Sequence, residues 1–226
     1  MRVVAVTDTP HERAWLVPAP VVERVDLDAT SWVDVVRGLL VDSHLVHDEL
    51  VATVPWEQGR VFRYERWIDE PRLLAMQSGE HRHPALVAAQ AWISRRYRVT
   101  FPGVALVQYR NERDSVSFHR DRELRWLDDT IIGVLTLGAR RPWLLRPISG
   151  RREAVEDDDL ADAIDLAPES GDLLVMGGRC QADWLHAVPK VRRRVGSRVA
   201  AQWRWTSRRG ARDRNPSFFA PRHFSR

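Results

Sequence analysis

The chain has 226 residues, of which 44% are hydrophobic and 29% charged, with a formal net charge of +4. That length and apolar share suit a soluble chain with a sizeable core, and no apolar run approaches the roughly 20 residues of a membrane-spanning helix. A single cysteine, Cys180, excludes a disulfide scaffold; with no secretory apolar run near the start, it points to a reducing cytoplasm. The modest net charge hides an asymmetry: Lys190 to Arg226 holds twelve Lys/Arg against Asp213 alone, which leaves −7 for the rest. Clustered arginine is what a phosphate backbone attracts, although an Arg-rich, solvated tail reads the same way on charge alone.

In chain order, residues 1–55 read as an irregular lead and a helix. Ser31 stands as its N-cap, and Trp32, Val35, Val36, Leu39 and Leu40 recur at helical spacing. Val61 to Trp67 alternates as a strand, and Pro84 to Arg96 patterns as an amphipathic helix. Short β-type runs broken by Gly and Pro follow: Val104–Tyr109, Thr130–Leu137, Trp143–Arg146, Asp172–Met176 and Arg198–Thr206. Arg151 to Glu169, with eight acids, reads as a surface connection, and residues 208–226 as a basic flexible tail. Helices first and many short strands after them argue for an α+β chain, a double-sheet jelly roll (double-stranded β-helix) with supporting N-terminal helices.

The chemistry-bearing motif is Phe118-His119-Arg120-Asp121, answered 67 residues later by His186 in DWLHAVP. On a strand, His119 and Asp121 project to one side, so both can reach one ion. Two imidazoles and one carboxylate form the ligand set of a mononuclear non-haem Fe(II) centre with open positions for a co-substrate and O2. His-x-Asp alone arises often by chance, and a lone apolar-flanked His is usually a core residue. Their order, followed by two arginines, is far more restrictive. Arg198 and Arg204, an even number of residues apart, fall on one strand face with Ala200 and Gln202. Two guanidinium forks suit a dicarboxylate such as 2-oxoglutarate.

Three blocks, QYRNERDSVSFHRDRE, SGDLLVMGGRCQADWLHAVP and RVAAQWRW, resemble the AlkB family of Fe(II)/2-oxoglutarate nucleic-acid demethylases. The resemblance runs from about Trp56 to Thr206. It implies a dioxygenase domain over 56–207, with a substrate lid at about 60–82 and residues 1–55 packed on it. It further implies iron on His119, Asp121 and His186; the distal carboxylate of 2-oxoglutarate on Tyr109 and Arg198; and its other end near Arg204. Pro71-Arg72, Ala75 and Gly79 match the lid pattern, which makes Arg72 a substrate contact, and Glu123 stands where relatives meet the target base with a carboxylate. The implied activity is oxidative demethylation of alkylated bases in DNA or RNA, as in alkylation-damage repair, with succinate, CO2 and formaldehyde released; the sequence leaves the oligomeric state open, with a monomer as the default expectation. The sequence departs from the family where Val107 and Ala200 replace asparagines around the co-substrate and where Met76-Gln77-Ser78 replaces lid aromatics. Those departures keep two alternatives open: an oxygenase of a protein or small-molecule substrate, and a catalytically weak nucleic-acid-binding relative.

Overall fold

The computed structural model describes residues 14–63, 65–77, 82–121, 124–148, 163–213 and 222–225. Two antiparallel sheets face each other. The larger contains β1 (Glu23–Asp26), β2 (Ser31–Val36), β3 (Glu57–Arg63), β4 (Arg66–Gln77), β5 (Val104–Tyr109), β7 (Thr130–Gly138), β10 (Leu173–Gly178), β12 (Arg198–Thr206) and β13 (Arg222–Ser225). Their order is β1-β2-β10-β7-β12-β5-β4-β3-β13. The smaller, β6-β11-β8-β9, is built from β6 (Val116–His119), β8 (Leu144–Pro147), β9 (Ile164–Asp165) and β11 (Trp184–Val188). Helices α1 (Ser43–Thr53) and α2 (Pro84–Tyr97) cover the outer face of the large sheet, and a short α3 (Cys180–Asp183) precedes β11. This is the expected jelly roll.

Alternation within strands sorts the interior into two layers. Along β12, Val199, Ala201 and Trp203 join the core beneath the helices, whereas Arg198, Ala200, Gln202 and Arg204 line the space between the sheets. The same division puts Leu173 and Val175 of β10 under the helices, and Leu174 and Met176 between the sheets. Gly133 on β7 lets α2 approach closely, since a Cβ there would stand 3.0 Å from Ile93 Cδ1 and 3.4 Å from Trp203.

Three sequence expectations change. Residues 31–40 do not form a helix. Ser31–Val36 is β2, paired with β1 and β10, because the β-branched Val33, Val35 and Val36 favour a pleated surface and sheet pairing overrides a coincident helical spacing. The N-terminal helix is α1 instead, and β1 and β2 make residues 23–36 part of the large sheet. The strand read across Val61 to Trp67 is a hairpin, with Glu65 at φ 59° between β3 and β4. Within β4, Pro71 lacks an N–H for the ladder, and the β3–β4 register shifts beside it, between Gln58 and Arg60. Of the basic tail, the structure describes only residues 208–213 and 222–225, and both parts are attached. Arg212 bridges to Trp126, Asp213 N donates to Arg125 O at 2.6 Å and its carboxylate pairs with Arg120, and β13 extends the large sheet by pairing with β3.

Candidate functional site

A cavity of about 760 Å³ opens between the two sheets. His119 closes β6, and His186 sits at the middle of β11 directly across the ladder from it. Their ring centroids are 4.3 Å apart. Asp121 follows two residues after His119, just past the strand, where Gln181 of α3 accepts its backbone N–H at 2.8 Å. The strand periodicity that predicted a shared face therefore operates only as far as His119; the buried Gln181 turns the carboxylate inward. Potential ligand atoms of the three side chains lie within 4.8 Å of one another.

The protonation states are those a divalent metal requires. Burial, reinforced by the charge of His186, pushes His119 down to about 3, against the pull of Asp121. His186 is lowered too, chiefly by burial. Burial works to raise the Asp121 carboxyl, yet Arg204 and the two imidazoles outweigh it and hold it below the usual carboxylate range. Neutral pH thus presents two neutral imidazoles and one carboxylate. Ser117 O meets His119 Nδ1 at 2.9 Å, which leaves Nε2 for the cavity. Asp121 Oδ2 and His186 Nδ1 are buried without a hydrogen-bond partner among the described residues. The orphaned Asp121 oxygen, set beside two neutral imidazoles, fits a metal ion.

The arginines divide the remaining wall. Arg198, 0% exposed, donates from Nη2 to Thr136 Oγ1 at 3.0 Å, while its Nε and Nη1 find no partner among the described residues. Burial lowers it to about 10, so it remains a cation at neutral pH, with no carboxylate hydrogen-bond partner among the described residues. Tyr109 pairs with Arg198 across the β5–β12 ladder, and a second buried cation, Arg141, also lies over the same ring; the centroid distances are 5.8 Å for Arg198 and 5.5 Å for Arg141. Arg204 donates to Asp121 Oδ1 at 3.0 Å and to Gln202 Oε1, which makes it a support for the metal ligand as well as a wall of the cavity. Val107 and Ala200 are themselves ladder partners, so the two departures from the family's asparagines form one apolar patch.

At the other wall, Arg72 and Glu70 of β4 pair at 3.3 Å, both nearly buried. Arg72 is close enough to the metal cluster to help lower both histidines. Phe62, Trp67 and Met76 stand at 46%, 40% and 72% exposure on the β3–β4 hairpin. Glu123, Ser78 and Gly79 lie outside the described residues. Sequence reasoning overlooked Gln181, Thr136, Arg141, Glu70 and Trp143. Only QADWLH, which carries Gln181 five residues before His186, offered a signal, and a buried amide fixing a ligand's backbone has no spacing rule.

Residues 47–212 match the 2OG-Fe(II) oxygenase superfamily. Among curated proteins, the chain is 32% identical over 156 residues to the alpha-ketoglutarate-dependent dioxygenase alkB homolog 3 of Homo sapiens, covering 63% of this chain and 54% of that one. It is 30% identical over 167 residues to the Bos taurus counterpart, covering 67% and 57%. The chain thus spans little more than half the length of these relatives. A solved prolyl hydroxylase from Trichoplax adhaerens, in complex with a hypoxia inducible factor peptide fragment, superposes with a TM-score of 0.54 at 12% identity, over 76% of this chain and 83% of that one, which shows the shared fold. Members of the superfamily use Fe(II), 2-oxoglutarate and O2, and the His119–Asp121–His186 cluster is the corresponding metal site. The chain belongs to the 2OG-Fe(II) oxygenase superfamily, and the relatives it resembles within it are AlkB proteins.

Proposed function

We propose that this chain removes N-linked methyl groups from alkylated bases in DNA or RNA. The observation that carries the reading is one cavity in which the His119–Asp121–His186 cluster, the buried Arg198 and the Glu70–Arg72 pair all meet. The first of these suits a metal, the second a dicarboxylate, and the third a polar, phosphate-linked substrate entering from the hairpin side. The AlkB relatives support the same reading.

In this arrangement Tyr109 and Arg198 hold the distal carboxylate of 2-oxoglutarate; the free Nε and Nη1 of Arg198 are the donors for it. Arg204 keeps Asp121 ionised and aimed, and its position beside the metal cluster suits the opposite end of the co-substrate. Val107 and Ala200 exclude water between the two ends. Arg72 meets a phosphate or the target base, and Glu70 orients Arg72. A duplexed base must be flipped out, or presented single-stranded, to enter. Fe(II) held by His119, Asp121 and His186 would supply the oxidation of an N-methyl carbon by O2, coupled to conversion of 2-oxoglutarate to succinate and CO2, so that the hydroxymethyl product could leave as formaldehyde and free the unmodified base. The chain's role is orientation and exclusion.

The test is succinate formation with Fe(II), 2-oxoglutarate and a panel of N-methylated single- and double-stranded oligonucleotides, with base products read by mass spectrometry. Methyl loss in step with succinate is the expected result. Succinate with every oligonucleotide unchanged moves the substrate to a protein or small molecule. No succinate under any condition makes the Val107–Ala200 patch decisive and leaves a binding relative.

A further inference from the structure

We propose that Trp143 is the positioning residue of the metal centre, holding the His186 imidazole in its metal-binding orientation by stacking where a hydrogen bond would ordinarily do so. The proposal rests on the metal site described above and concerns how this chain builds it.

The two histidines are held by different means. His119 has a carbonyl partner, Ser117 O at 2.9 Å from Nδ1, which fixes both tautomer and ring plane. Metal-bound imidazoles generally have such a partner on the ring nitrogen away from the metal. The buried Nδ1 of His186 has none among the described residues. Its backbone is fixed on both sides, by β6 and by β8, but the backbone does not set rotation about the bond to the ring. Trp143 does: its ring lies nearly parallel to the imidazole, at 16° with centroids 5.6 Å apart, an offset-stacked geometry. His119 meets the imidazole at 49°, so among the described residues Trp143 offers the one near-parallel ring.

Trp143 is itself immobilised. It is buried, lines the cavity and packs into the inter-sheet core with Leu145 and Val188. Its backbone N–H donates to Asp165 Oδ1 at 2.9 Å, and its carbonyl accepts Leu166 N–H at 3.1 Å. Asp165 is held in turn by Ala167 N–H at 2.8 Å. A rigid chain of contacts therefore runs from the Asp165 turn through the indole to the imidazole. An unpaired nitrogen leaves the ring free to rotate in a polar pocket, whereas a flat apolar neighbour of fixed position penalises every rotation that breaks the parallel contact.

Two variants separate positioning from packing. Trp143→Phe keeps a flat ring; Trp143→Leu keeps apolar bulk and removes the plane. Co(II) serves as the probe, bound to the 226-residue chain without oxygen chemistry and followed by its visible absorption and by quenching of tryptophan fluorescence. Loss of an outer-shell partner typically costs about 10- to 100-fold in metal affinity. Trp143→Leu is expected to weaken Co(II) binding by about tenfold or more and to alter its visible spectrum. Trp143→Phe should restore most of the affinity while losing the largest share of the quenching. The metal-free melting temperature of both variants is measured alongside. Co(II) affinity and spectrum unchanged in Trp143→Leu would overturn the proposal and leave the metal site standing. Equal weakening in both variants, in step with lowered melting temperatures, would overturn it in favour of a packing role. Failure of the parent chain to bind Co(II) would remove the metal site and the proposal together.

Discussion

The two walls of the cavity are built to different tolerances. At the metal wall the functional side chains are buried or half-buried, and hydrogen bonds brace three of them: Asp121 by Gln181 and Arg204, His119 by Ser117, Arg198 by Thr136. At the hairpin wall, β3 and β4 shift register around Pro71 and present Phe62, Trp67 and Met76 to solvent. Under the proposed function, the contrast assigns the chemistry and the choice of substrate to separable structures. Co-substrate and oxidant need fixed geometry, which buried polar networks supply; recognition of a large partner needs exposed area, which the hairpin supplies.

The sharpest break of that contrast removes a metal ligand. His119→Ala is expected to reduce 2-oxoglutarate turnover to the uncatalysed background while the chain stays folded, as read by succinate release and circular dichroism. Retained turnover with metal strictly controlled would mean that the cluster is not the reaction centre. Arg198→Met comes next. A charge-assisted hydrogen bond contributes about 1.5–3 kcal/mol, so the KM for 2-oxoglutarate should rise roughly 10- to 100-fold. The metal-free melting temperature should nevertheless hold or rise, because the variant removes a buried cation that has no carboxylate hydrogen-bond partner among the described residues. A fall in stability with KM unchanged would make Arg198 a structural residue.

Much of this site is legible in the sequence, because strands report their faces. RVAAQWR alternates so regularly that Arg198, Ala200, Gln202 and Arg204 could be placed on one side from spacing alone, and β12 presents them so. The β5 run was equally plain. Residues 31–40 were not, since SWVDVVRGLL satisfies a helical spacing and a strand alternation at once, and only pairing with β1 and β10 decides between them. The groups that brace the site were hidden for another reason. Gln181, Thr136 and Trp143 act across 60, 62 and 43 residues of chain, on Asp121, Arg198 and His186 respectively, and no local pattern records a contact that the fold creates.

A smaller effect is expected from pH. Above about 6.5 folded and unfolded chains both hold His119 and His186 neutral, so the pair is silent. As pH falls from there towards 3, the unfolded rings take up protons that the buried ones refuse, because burial lowers both and places His119 at about 3. The unfolded state then binds more protons, and stability falls with pH. Asp121, held below its ordinary range by Arg204 and the imidazoles against the cost of burial, adds a further loss below about pH 4. The metal-free melting temperature should therefore decline through this window, and His119→Gln, which cannot titrate, should decline less. An equal slope in the variant would show that His119 titrates normally in the folded chain.

The smallest effect is expected on the hairpin. Phe62 and Trp67 face each other across the ladder, edge to face at 5.6 Å, and such a pair contributes about 0.5–1.5 kcal/mol beyond burial, less when both rings are exposed. Trp67→Ala should then lower the melting temperature only slightly, and the KM for 2-oxoglutarate should shift by no more than about twofold, as expected for a site distant from the co-substrate. If the hairpin governs entry of the substrate, the KM for a methylated oligonucleotide should rise while kcat holds, because ground-state binding alone is removed. A fall in kcat with both KM values unchanged would show the hairpin acting on the metal wall, and the two walls would then be one mechanical unit.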